Sequence, residues 1–532
     1  MKKGGLFWRT IKHLQARQAA YQVINRLRSR PKLRLPKTSP VSHFLPVPKA
    51  DKPVSWSNGT FTFLNQSVNF LYSNEDADAT TNEVDWNYAA YGKLWTYNLN
   101  YFDFLNQPDL PIQQGLWLIQ SFIKQTHRLN DGLEPYPTSL RVVNWMQFLS
   151  RNQIQDESIN CHLVAQVDLV SRRLEYHLAG NHLLENGFAL LLASIYFREL
   201  RWFRKASRLV QDELTLQIVA DGGHDERSPM YHQILLDRLL DVLLSLQHNS
   251  WHKNPSFVRF LIEKADRMLS WSQTISFANS DIPMVNDAAF GIAPTTQQLC
   301  NKAEQMGFEV AEASLSESGY RMFRTGCYEL LVDVGPVGPD HQPGHAHADT
   351  FSFVLYVDNK PIIVDNGTST YETGSRRMWE RSTAAHNTIE ISGQNSSEVW
   401  AAFRVGRRAK VTVLQDTQTT LVARHDGYER LGVIHERSWI VEDTAFQVKD
   451  RLISAQSSSG IARFYFHPEV PVAIVDNKVV AGPVQLTFTS QPPYELRLAN
   501  SYMSAGFNQL RTNRYLEIAF TNLLHTTVTI LV

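Results

Sequence analysis

At 532 residues the chain is long enough for two or more domains with their own cores, and 43% hydrophobic and 20% charged residues are the proportions of a globular protein. No apolar run reaches the roughly 18 residues of a transmembrane helix. Three widely spaced cysteines, Cys161, Cys300 and Cys327, exclude a disulfide framework and read as buried thiols.

A net charge of zero conceals an asymmetry. Residues 1–50 carry 12 Lys or Arg and no acid, which leaves 40 bases against 52 acids in the rest. Phe7, Ile11, Leu14, Tyr21 and Ile24 fall on one helical face, interrupted by Gln18, and predict a basic amphipathic helix trailed by Arg26, Arg28, Arg30, Lys32 and Arg34. Two readings stand: docking on an anionic membrane surface, or packing on the protein's own acidic surface. No apolar core of 7–15 residues follows Lys2 and Lys3, so the start does not read as a secretory signal. The expected location is cytoplasmic, with possible peripheral contact with the inner membrane. Five prolines between Pro36 and Pro53 mark a linker.

A strand-like run at 60–72 and a polar break at 73–81 precede helical periodicity. Ile112, Leu116, Ile119 and Ile123 form one stripe, and Leu163, Val167, Val170 and Leu174 another. Further amphipathic segments cover about 183–199, 203–219, 230–247 and 256–276. Short connections predict antiparallel neighbours, which suits an α/α toroid or a bundle. After about Gly319 the pattern turns to short alternating runs such as YELLVDV, FSFVLYV and ARFYFH, separated by turn residues, which predicts an antiparallel β-sandwich. The expected division is an arm and linker over 1–84, a helical domain over 85–312 and a β-sandwich over 313–532.

Three groups of residues carry chemistry. In Asn181-His182-Leu183-Leu184-Glu185, His182 and Glu185 are three apart and share a helical face. The alternative is a polar helix start capped by Asn181. In the run from Asp221 to His232, paired glycines permit a tight loop and Ser228-Pro229 starts a helix, placing Tyr231 in a first turn whose dipole favours a phenolate. The third group is the HxH pair, His345 and His347, followed by Asp365 after an apolar run and by His386. Nitrogen and oxygen ligands from separate strands are how a zinc site is built.

The series GHAHAD, VDNGT and AHNT resembles the heparinase II/III family of polysaccharide lyases, over most of residues 85–450. The resemblance selects the toroid followed by an antiparallel β-sandwich. It implies β-elimination on a uronic-acid glycan, with Tyr231 as catalytic base and acid, His345 as its partner, and Asn181, His182 and Glu185 on the substrate carboxylate. It makes His347, Asp365 and His386 ligands of a structural zinc, although His345 and His347 could exchange roles. Trp95, Tyr97, Asn98, Arg141 and Asn144 are candidate sugar contacts, and Arg376, Arg377 and Arg381 candidate partners for carboxylates or sulfates. The expected partner is an anionic polysaccharide rather than nucleic acid. A uronyl C5-epimerase and a non-catalytic glycan-binding protein remain as alternatives. A cytoplasmic location with a basic arm would suit capsule or exopolysaccharide synthesis.

Overall fold

The computed structural model describes residues 3–70 and 83–531; Tyr72 and the expected break at 73–81 lie outside them. The chain divides into two compact units, one formed by Gln15–Gln217 and Leu235–Ala265, the other by Met1–Leu14, Ile218–Ile234 and Asp266–Val532.

The first unit is helical. Ile112–Gln125, Glu157–Arg172, Gly180–Tyr196 and Leu200–Gln217 bear out the periodicity, with ends shifted by a few residues, and Pro135–Arg151 is a further helix. Asp156 caps one of them by accepting from the Ile159 N–H. Gly180–Tyr196 is apolar almost all round and buries Leu183, Leu184, Phe188, Leu190 and Leu191. A Cβ on Gly187 would sit 2.9 Å from Val210 Cγ2, so glycine lets the next helix pack close. A small antiparallel sheet, Trp56–Ser57, Thr60–Phe63 and Gln66–Asn69, sets Phe61 edge-on against Trp86 and Phe104.

The second unit is dominated by antiparallel sheets. The largest runs in spatial order Val411–Asp416, Thr420–His425, Val433–Val441, Ala445–Ser454, Leu523–Ile530, Val484–Ser490, Lys478–Ala481 and Val472–Val475. A second joins Glu495–Gly506, Gln509–Thr521, Ser459–Tyr465 and Ile389–Glu390, and a third Tyr320–Arg324, Tyr328–Asp333, Phe353–Val357 and Lys360–Ile363. Alternate residues of all three supply one apolar core that includes Leu330, Phe353, Trp439, Phe464 and Leu516.

That core holds a polar chain. The Gly427 N–H donates to His425 Nδ1, so His425 carries its proton on Nε2, 3.1 Å from His435 Nδ1. His435 Nε2 in turn lies 2.7 Å from Asp450, which Arg437 also grips through two nitrogens. Every member is buried and satisfied.

Residues 218–234 and 266–312 belong with the sheets, because the Asp221 carboxylate accepts from Ser316 and Ser318 and Phe277 stacks on Tyr356 at 3.7 Å. The basic arm is two helices, Lys3–Ile11 and Ala16–Leu27, because Gln18 turns inward and caps the second through the Gln15 N–H. Both pair with the chain's own acids: Arg9 with Glu398 in the sheet unit, and Arg17 with Glu213 in the helical unit. Trp8, Val23 and Leu27 remain exposed. Among the described residues no helix is long and apolar enough to cross a membrane.

Candidate active site

In the helical unit, Asn181, His182 and Glu185 lie in the first turns of Gly180–Tyr196, and the residue before the helix is Ala179 rather than Asn181. His182 is the accessible member, with its side chain 29% exposed, its ring stacked on Tyr136 at 4.1 Å and its Nδ1 3.5 Å from Glu175. Tyr136 continues into Tyr101 and Tyr97, making an aromatic wall beside the imidazole. Glu185 is fully buried and accepts no hydrogen bond; its nearest cation is Arg238 at 3.4 Å. Burial pushes its carboxyl up to about 6 even against Arg238.

Several expected sugar contacts have internal duties instead. Arg141 is buried and donates to Gln166, Thr138 and the carbonyls of Asn100 and Gly132. Asn144 ties down Tyr101 and Asp103, and Trp95 is sealed under the small sheet with its N–H on Gln66. Arg381 spends its donors on the carbonyls of Ala346, Ala401 and Arg404. Buried donors must find acceptors, and backbone carbonyls were the nearest. Tyr97 and Asn98 stay partly exposed.

In the sheet unit, Tyr231 and His345 come together, with rings 3.9 Å apart between centroids. The loop before Tyr231 needs its glycines: Gly222 has φ +93, and a Cβ there would lie 2.1 Å from the Arg267 carbonyl. Pro229 then opens Pro229–Gln247, capped by Ser228 Oγ, which accepts from the Tyr231 N–H. Burial, then the neighbouring Tyr371, pushes the Tyr231 phenol well above its ordinary range. This outweighs the dipole effect, and the group is held protonated. The Tyr371 hydroxyl lies 3.0 Å from the Tyr231 hydroxyl.

Asp287 is the hub. Its two oxygens meet His345 Nδ1 at 2.9 Å and His347 Nε2 at 3.0 Å, and they receive both terminal nitrogens of Arg377. Burial alone would raise this carboxyl, but Arg377 and the two histidines hold it well below the usual range. His345 and His347 sit in an irregular loop rather than a strand, yet both reach this carboxylate. The adjacent Asn286 accepts from the His347 N–H and donates to the Arg227 carbonyl, which ties the HxH loop to the start of the tyrosine helix. Glu226 Oε2 lies 3.4 Å from His345 Nε2. Asp287, Tyr371 and Glu226 carry no motif in the sequence. The one signal was a polar pair, Asn286-Asp287, set between Val285 and Ala288.

Asp365 and His386 also come together, Oδ2 to Nδ1 at 2.7 Å, and the His386 ring is 5.3 Å from that of His347. Among the described residues no three His, Cys, Asp or Glu side chains are arranged around a common metal position. The donor chemistry nevertheless fits one, because His347 Nδ1 and His386 Nε2 are buried and make no hydrogen bond. Burial pushes His347 down to about 4, which keeps its lone pair available.

Residues 137–306 match the family described as "Heparinase II/III N-terminus", and residues 310–528 match "Heparinase II/III-like, C-terminal". The chain belongs to the heparinase II/III family. Family relatives include a heparin-sulfate lyase of Bacteroides stercoris, 22% identical over 324 residues, covering 53% of this chain and 45% of the relative. A heparin-sulfate lyase of Pedobacter heparinus is 22% identical over 344 residues, covering 57% and 49%. The chain therefore spans about half the length of the curated relatives it matches. A solved heparinase III superposes with a TM-score of 0.63 at 15% identity, over 100% of this chain and 92% of the other. A Streptomyces coelicolor chondroitin AC lyase superposes at 0.50 and 9% identity, over 82% and 75%. The heparinase II/III fold is thus the expected helical toroid followed by antiparallel sheets.

Proposed function

We propose that this chain is a polysaccharide lyase that cleaves a uronic-acid glycan by β-elimination. The observation that carries the reading is the Tyr231–His345 pair held by Asp287. The C5 proton of a uronate is weakly acidic until its carboxylate is neutralised, so the reaction needs a carboxylate partner, a base and an acid for O4. The family resemblance assigns the first task to the positions of Asn181, His182 and Glu185, of which His182 is the accessible one. Asp287 fixes the His345 Nδ1–H and leaves Nε2 to take the proton. The protonated Tyr231 hydroxyl, with Tyr371 behind it, is suited to donate to the departing O4. The heparin-sulfate lyase relatives support a glycosaminoglycan-like substrate.

A metal would be structural, held by His347, Asp365 and His386. When bound, a zinc ion would fix the loop that presents His345; no proton moves through it.

We also propose that the exposed outer face of the basic arm meets an anionic membrane surface from the cytoplasmic side, as in capsule or exopolysaccharide synthesis. Exposed Val23 and Leu27 on Ala16–Leu27, with exposed Arg26 on the same helix, support this.

The test is incubation with sulfated and unsulfated uronate glycans in D₂O. Near-ultraviolet absorbance from a 4,5-unsaturated uronate, with chain shortening, is expected. Deuterium at C5 without absorbance or shortening would replace the lyase with a C5-epimerase, a reaction that uses the same first proton abstraction.

A further inference from the structure

The sheet formed by Glu495–Gly506, Gln509–Thr521, Ser459–Tyr465 and Ile389–Glu390 has two unlike faces. Ala462, Phe464, Leu516 and Ile518 point into the core, and alternation turns Arg463, Tyr465, Tyr515 and Glu517 to the other side. Tyr465 and Tyr515 are register partners on that face and stack at 4.9 Å, with their planes 14° apart; Tyr465 is buried with its hydroxyl on the Ala384 carbonyl, and Tyr515 is the partly exposed ring of the pair.

The short helix Ser375–Glu380 forms a wall beside it. Trp379 stands edge-on to Tyr465 at 6.3 Å, and the Arg376 guanidinium lies 4.7 Å over the Trp379 ring. Arg377 of the same helix turns instead to Asp287. Exposed Asn500 and Tyr502 and half-buried Ser501, all on the strand Glu495–Gly506, close the rim. Together these residues enclose a groove of about 340 Å³, within the size range of small-ligand sites.

Two arginines are held rigid at this groove and not fully used. Arg376 Nε binds Glu380 at 2.7 Å and its Nη2 the Tyr502 carbonyl; Arg463 is clamped by Glu390 and Glu517. Among the described residues, Arg376 Nη1 and Arg463 Nη2 make no hydrogen bond. Flat aromatic surface for the C–H face of a ring, with fixed guanidinium and amide donors at its edge, is the chemistry that recognises an acidic sugar.

We propose that this groove is an ancillary subsite for an acidic saccharide, distinct from the Tyr231–His345 pair, that holds a stretch of glycan away from the bond being broken. The proposal rests on the glycan-lyase reading for the identity of its ligand, and adds a second place of contact.

The test uses the full chain carrying Tyr231→Phe, so that ligand is not consumed, and a heparan sulfate hexasaccharide as titrant in a calorimeter. Adding Trp379→Ala, or Arg376→Met should the tryptophan variant fold poorly, is expected to weaken binding at least tenfold. In the active background the same changes should raise KM for the polymer and leave kcat on a tetrasaccharide unchanged. Unaltered affinity and KM in both variants, with polymer still cleaved, would overturn the groove and spare the lyase. Groove-dependent binding by a wild-type chain that cleaves nothing would support the groove and remove the lyase.

Discussion

The Tyr231 and Tyr371 hydroxyl oxygens lie 3.0 Å apart, and burial pushes both phenols well above their ordinary range. A pair of this kind shares one proton network, so their losses should not add. Tyr231→Phe is expected to lower turnover by about 10²–10⁴-fold, the typical worth of a general acid or base, with glycan affinity intact. Tyr371→Phe should cost less, and the double variant little more than Tyr231→Phe alone. Steady-state rates on the four proteins check this; a Tyr231→Phe rate above about a tenth of wild type removes Tyr231 from the mechanism.

Asp287 is buried among Arg377, His345 and His347, so removing it strands a buried guanidinium. Asp287→Ala should lower stability by about 3–5 kcal/mol, the usual cost of breaking a buried pair from one side. Denaturant titration reads this directly, and a loss under about 1 kcal/mol would mean that Arg377 finds another partner.

Burial pushes the Glu185 carboxyl from an ordinary 4.5 up to about 6 in the fold. The folded chain then binds more protons than the unfolded chain between these values, so this group's contribution makes stability fall as pH rises through that window. If the neutral carboxyl serves the substrate, activity should also decline above about pH 6. Glu185→Gln stays neutral and should flatten both slopes. Parallel profiles in wild type and variant would assign the decline to another group.

Zinc content can be counted. One tightly held ion per chain is expected by elemental analysis, and His347→Ala should lose it together with several degrees of thermal stability. Zinc-free protein with full stability and activity would end the metal reading.

The basic arm should give salt-dependent binding to vesicles of acidic lipid. Arg9 and Arg17 are engaged with Glu398 and Glu213, so the outward Arg26, Arg30 and Arg34 are the ones to change to serine. Sedimentation with vesicles should then fail while the fold persists. Equal binding with and without these three arginines would leave only the self-packed reading.

The fold was legible because its periodicities differ, about 3.6 before Ile275 and 2 after Gly319, and the burial pattern follows both. Motif residues were found where backbone signals framed them, as Ser228-Pro229 and the glycine pair frame Tyr231. Asp287 was not, because a single carboxylate in a loop has no period and its meaning comes from four side chains distant in sequence. Trp95, Arg141, Asn144 and Arg381 misled for the opposite reason. Residue types that bind sugars also brace a core, and only burial separates the two uses.

The chain from His425 through His435 to Asp450 fixes where each imidazole proton resides. Protons so placed are shielded from water and shared between short contacts. They should appear as two sharp resonances far downfield of the amide envelope, exchanging with deuterium only as the sheet core opens. The sandwich thus carries its own spectroscopic reporter, one that registers the opening of its interior without any label.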